Sequence, residues 1–119
     1  MNTALAIFFL TISLNYHSLS KKECLEGNWF KAGKKDAYFG FKKNRLNHHK
    51  DTCLKYKVKP DPVQYRKGHM EGLKLFCQEQ RGYHWGRTNK ENPKTCPAEM
   101  KSLFMKGYER GLRDRRSKN

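Results

Sequence analysis

Acidic residues are scarce in this chain, with 11 Asp and Glu against 26 Lys and Arg and a formal net charge of +15. The first twenty residues carry no charged side chain, so the whole excess falls from Lys21 onward. A domain so one-sided in charge attracts anionic partners. An apolar run of the roughly 20 residues that cross a bilayer is also missing. The longest, Ala4 to Leu14, is too short, and no spanning helix is expected in the mature chain. The four cysteines, Cys24, Cys53, Cys77 and Cys96, include no pair two to four residues apart. Structural zinc sites are normally assembled from such close pairs, so no metal is expected. Gly-x-Ser-x-Gly, His-Glu-x2-His and a glycine-rich phosphate loop are absent too, which leaves no motif for a nucleophile or a cofactor. His48 and His49 are adjacent and cannot share a helix face, and His69 and His84 stand apart from them. All four read as surface or packing residues. The chain is expected to be no enzyme and to hold no cofactor.

What is present begins with the uncharged segment 1–20, which ends in Ser18-x-Ser20. Small residues spaced in that way behind a short apolar core read as a secretory signal cut after Ser20, although Met1 to Thr3 lack the usual lysine or arginine; an uncleaved anchor and a buried N-terminal helix are the alternatives. The mature part is small and buries only about 60 to 65% of its unfolded surface, so its core needs staples. Four cysteines behind an export signal supply them.

Three segments share the pattern aromatic-x2-Gly-x3-small: Phe30, Gly33, Ala37; Tyr65, Gly68, Gly72; and Phe104, Gly107, Gly111. Repeats at such spacing usually mark one supersecondary unit used several times. Asn28 stands as an N-cap before the first, Asp61-Pro62 opens the second, and Pro97 the third. The spacing predicts helices over about 28–43, 61–77 and 97–113, with 44–60 a connector, 78–95 a long ordered loop, and 115–119 a basic tail. Residues 21–114 then form a single mostly α domain, a small three-helix bundle with long disulfide-tied connectors. Paired helical glycines cost about 1 kcal/mol each relative to alanine, and close helix packing is the compensating contact. Antiparallel packing would bring Cys77 beside Cys96 and leave Cys24 for Cys53; two other connectivities remain open.

The ordered set Cys24, Trp29, Gly33 with Gly40, Cys53, Tyr65-x2-Gly68-x3-Gly72-Leu73, Phe76-Cys77, Gly82-x3-Gly86, Cys96-Pro97 and Phe104-x3-Tyr108-x2-Gly111 resembles the domain-of-unknown-function family 2799. The similarity covers about residues 22 to 112. It implies a small bacterial envelope protein, often a lipoprotein, with no established activity. The chain departs from a lipid-attachment pattern at Cys24, which follows Lys21-Lys22-Glu23 instead of small apolar residues. Lipidation at Cys24 is therefore not expected.

The expected function is that of an exported, periplasmic or envelope, non-enzymatic structural or binding protein. Its basic surface would contact anionic envelope components such as lipid head groups, lipopolysaccharide or acidic polymer. The alternative is a nucleic-acid-binding protein, with Tyr83 and Trp85 as stacking faces beside Arg81 and Arg87; export argues against it, and no nucleic-acid partner is expected. A cationic secreted hydrolase built on one of the histidines is the third reading and rests on residue types alone.

Overall fold

The computed structural model describes residues 18–117 and is mostly helical, with no strand among them. Six α-helices follow in order: α1 (Lys21–Glu26), α2 (Trp29–Tyr38), α3 (Leu46–Leu54), α4 (Pro62–Phe76), α5 (Glu79–Arg87) and α6 (Ala98–Ser117), with a 3-10 turn over Lys43–Arg45 before α3. The signal-peptide reading of residues 1–20 falls almost wholly outside the described residues.

Local chemistry sets the helix starts. Ser20 and Glu23 form a reciprocal capping box on α1. The Asn28 side chain accepts from Lys31 N, and Asp61 accepts from both Val63 N and Gln64 N with proline at the first helical position of α4. The first long helix ends at Tyr38, short of the expected residue 43. The chain reverses at Gly40, whose φ of 87° is open to glycine at little cost.

Two stretches read as irregular are helical. The connector 44–60 contains α3, and half of the supposed loop 78–95 is α5. Gly82 and Gly86 are not breakers there; both are buried at a helix–helix contact. The three-helix expectation thus becomes six helices, and α6 runs through Ser117 into the expected tail.

The small residues do pack helix against helix, in two pairs. In the first, α2 lies on α4 so closely that a Cβ on Gly68 would overlap the carbonyl of Phe30, and one on Gly72 the carbonyl of Lys34. In the second, α5 lies on α6, and Gly107 and Gly111 face the carbonyls of Glu79 and Tyr83. The contacts are reciprocal: Gly33 faces the Tyr65 carbonyl and Gly82 that of Phe104. At this approach each glycine Cα–H meets a carbonyl oxygen across the interface. Four residues along one helix match four along its partner in the same sense, so the helices of each pair run parallel. The antiparallel expectation is corrected on that register.

A fourth copy of the repeat, Glu79-x2-Gly82-x3-Gly86, completes the second pair. The domain is a helix pair used twice.

Parallel partners adjacent in sequence require the chain to return before the second helix begins. For the second pair the connector 88–97 has an extended reach of about 33 Å, ample for going back along a helix of about 14 Å. Each disulfide ties the segment before a first helix to such a returning connector. Cys24 joins Cys53 with 5.5 Å between Cα atoms, and Cys77 joins Cys96 with 5.7 Å. The expected pairing holds, though the geometry behind it differs.

Two apolar clusters complete the core. Cys24, Trp29, Ala32, Cys53 and Tyr65 fill the first pair. Ala37, Leu73, Phe76, Trp85 and Phe104 join the pairs to each other, with the Phe76 ring stacked 4.9 Å from Phe104 and edge-on 5.1 Å from Trp85. Full burial of a phenylalanine contributes about 1.5 to 3 kcal/mol. Arg81 of α5 reaches across the junction, donating to Tyr38 O at 3.2 Å, where it also meets the negative end of α2.

Candidate functional site

The two helix pairs share a register but not a filling. Asp36, three residues after Gly33, corresponds to Trp85, three after Gly82; Tyr65 corresponds to Phe104. The second pair is therefore aromatic where the first carries a buried polar network. Asp36 Oδ2 accepts from Tyr65 OH at 2.6 Å and from His49 Nε2 at 2.6 Å. His49 is 2% exposed, and its Nδ1 is buried with no hydrogen-bond partner among the described residues. Burial, and next the bond to Asp36, push the Tyr65 hydroxyl far above the usual phenol range, so it stays a donor. One residue past Gly68, His69 donates through Nε2 to Phe41 O at 2.7 Å. Burial holds it below the usual imidazole range despite that bond.

Asp36 and His49 also line a cavity of about 130 Å³ under α1, whose wall mixes Glu23 and Glu26 with Lys31 and Lys35. An aspartate behind a histidine orients the ring and fixes its tautomer, as in acid–base sites. No hydroxyl or thiol bonds to His49 among the described residues. Ser18 sits instead 3.4 Å from Nε2 of the neighbouring His48. The arrangement orders α2, α3 and α4 around one carboxylate. Among the described residues no group of three His, Cys, Asp or Glu is placed to hold a metal.

A second concavity differs in charge. It is a groove of about 410 Å³ where the connector after α2 and the connector before α6 meet α4. Lys42, Lys43, Arg66 and Lys94 line it, and no carboxylate does. None of the four forms an ion pair among the described residues, whereas Lys22, Lys74 and Arg110 do. Cations elsewhere lie over aromatic faces: Arg81 is 4.3 Å from the Tyr38 ring centroid, Lys90 4.3 Å from Trp85, and the ion-paired Arg110 4.7 Å from Tyr83. Lys94 holds a φ of 56°, with its N–H donated to Asn92 Oδ1 at 2.9 Å. Thr95, next in the groove wall, has a buried Oγ1 without a hydrogen-bond partner among the described residues.

The residues singled out in the sequence divide accordingly. Gly33, Ala37, Gly68, Gly72, Gly107 and Gly111 are buried at the helix contacts, and Tyr65 and Phe104 are core. Phe30 is exposed; its carbonyl, not its ring, makes the contact. All four cysteines are disulfide-bonded, Cys24 with Cys53 and Cys77 with Cys96. His48 is half-buried and His84 exposed, as surface residues are, while His49 and His69 are buried and bonded. Trp85 is 8% exposed and donates to Glu91 O at 2.9 Å, so it presents no stacking platform for a base. The Asp36 network and the groove escaped sequence reading. The one available signal was an aspartate on the otherwise small and aromatic stripe of α2.

Fold and surface define a class: a small basic helical domain, duplicated from one parallel helix pair and stapled once per copy. The family model described as protein of unknown function (DUF2799) matches residues 28–113, which spans both pairs, and the chain belongs to that family. No curated protein and no solved structure matches it.

Proposed function

We propose that the protein is an exported, non-enzymatic envelope protein that binds anionic envelope components through its basic surface. The observation that carries this reading is the +15 charge borne wholly from Lys21 onward, with a set of converging cations that have no carboxylate partner. Such a surface concentrates anionic lipid or polymer through long-range attraction and loses that attraction as salt rises. No described helix is long and apolar enough to cross a membrane. Contact with an envelope would be peripheral for these residues. Co-sedimentation with phosphatidylcholine vesicles, with and without phosphatidylglycerol, tests the reading. Binding should require the anionic lipid and weaken steeply with salt; equal partitioning to both vesicles would overturn it. Cell fractionation with intact mass tests the export step, and recovery of the cytoplasmic chain with Met1 retained would sink it.

A further inference from the structure

We infer that the groove between the two connectors is a binding site for the phosphate of an anionic amphiphile, its cations on the phosphate and its apolar wall on the first carbons of the lipid. The inference rests on the proposed binding of anionic envelope components and gives it one location and one chemistry.

Several independent features converge there. Four cations from three chain segments face one concavity without a carboxylate among its lining residues. Like charges gathered without counter-ions repel one another, a cost that an anion removes. Arg66 adds a planar fork suited to two oxygens of one phosphate, and the lysines act as point charges around it. Thr95 lines the same groove, and its buried Oγ1 has no hydrogen-bond partner among the described residues. Lys94 beside it is held at positive φ by the Asn92 bond, and strained backbone of this kind clusters at ligand clamps.

The remaining wall distinguishes a lipid from a bare ion. Met70, Leu73 and Pro97 are apolar. Met70 is 45% exposed. A half-exposed methionine in the wall of a cationic groove fits the first carbons of a chain whose headgroup phosphate the cations hold. The groove volume lies within the usual range for small-ligand sites. By contrast, the cavity under α1 is smaller and balances its lysines with glutamates.

The test compares two triple variants of the exported, disulfide-bonded protein, each lowering the net charge equally. One is K43A/R66A/K94A in the groove; the other is K34A/K59A/K106A at exposed sites outside it. Vesicle affinity for phosphatidylglycerol should fall at least about tenfold for the groove variant and much less for the control. Amide NMR shifts of Lys94 and Thr95 on adding a short-chain phosphatidylglycerol should saturate. Equal losses in the two variants would overturn the groove site while leaving the general reading standing. Failure of the parent chain to prefer anionic vesicles would overturn both. Saturable shifts with inorganic pyrophosphate but none with the short-chain lipid would overturn the amphiphile and identify free phosphate as the ligand.

Discussion

Gly68→Ala is the sharpest test of the helix contact, because two effects of known size predict opposite signs. Alanine in a helix interior is favoured over glycine by about 1 kcal/mol, so an open site would gain stability. At position 68 the new Cβ would overlap the Phe30 carbonyl oxygen, with the carbonyl carbon at 2.6 Å and Cα at 2.9 Å. All three atoms are backbone, so no rotamer change relieves the clash and the helices must separate. Separation also loosens the reciprocal seat of Gly33 against the Tyr65 carbonyl. Overpacking of a dense interface typically costs about 1 to 3 kcal/mol, occasionally more, and leucine at 68 or 72 should cost more than alanine. The net expectation for Gly68→Ala is a loss of about 1 kcal/mol, against no more than about 0.5 for Lys34→Ala on the exposed face of α2. Urea melts of the disulfide-bonded proteins would read the difference. If Gly68→Ala melted at or above the parent, propensity would have won and the glycines would not be packing devices.

Further outcomes follow from other parts of the fold. Peptide mapping without reduction should recover Cys24 with Cys53 and Cys77 with Cys96, and a Cys77→Ser/Cys96→Ser variant should lose about 3 kcal/mol for its 19-residue loop. Burial lowers the pKa of His69, and burial with nearby Arg45 that of His48. The unfolded chain then binds more protons below its imidazole pKa of about 6.5, so stability should be full above that pH and fall as pH drops through it; an unchanged urea midpoint between about pH 7.5 and 5.5 would contradict this. A chain starting at Ser18 should be about 1 kcal/mol more stable than one starting at Lys21, which lacks the Ser20 capping box; identical thermal melts would show that α1 does not depend on that cap.

Much of the architecture is legible in the residues because its signals are local. Asn28 and Asp61-Pro62 announce helix starts through side chains that reach only two or three residues ahead. The repeat is legible wherever an aromatic precedes its glycines. It fails at Glu79-x2-Gly82-x3-Gly86 because the contact uses the carbonyl of the first residue and is indifferent to its side chain, which is also why exposed Phe30 serves as well as buried Phe104. Glycine density there looks like loop chemistry until a partner helix is known. Helix direction is silent in any periodicity: a stripe at three and four fits a parallel or an antiparallel neighbour equally. The candidate site was the least legible part. Asp36 and His49 are 13 residues apart and meet only through tertiary packing, and the groove draws three of its four cations from connectors that carry no period at all.

The duplicated frame explains why those connectors come together. In each pair the residue after the second helix's first glycine anchors the returning chain eight residues beyond the first helix's glycine. His69 donates to Phe41 O, and Tyr108 OH donates to Lys90 O at 2.8 Å. The side chain changes from imidazole to phenol while the anchored carbonyl keeps its place in the repeat. Just before the first anchor, Gly40 lies where a Cβ would be 3.3 Å from both Pro93 and Trp85, so the first connector is seated against the second. Lys42 and Lys43 then leave one anchored segment, Lys94 and Thr95 the other, and Arg66 of α4 completes the wall. Neither helix pair alone supplies this set of charges. The groove is a product of the junction, so the phosphate site proposed above requires both copies.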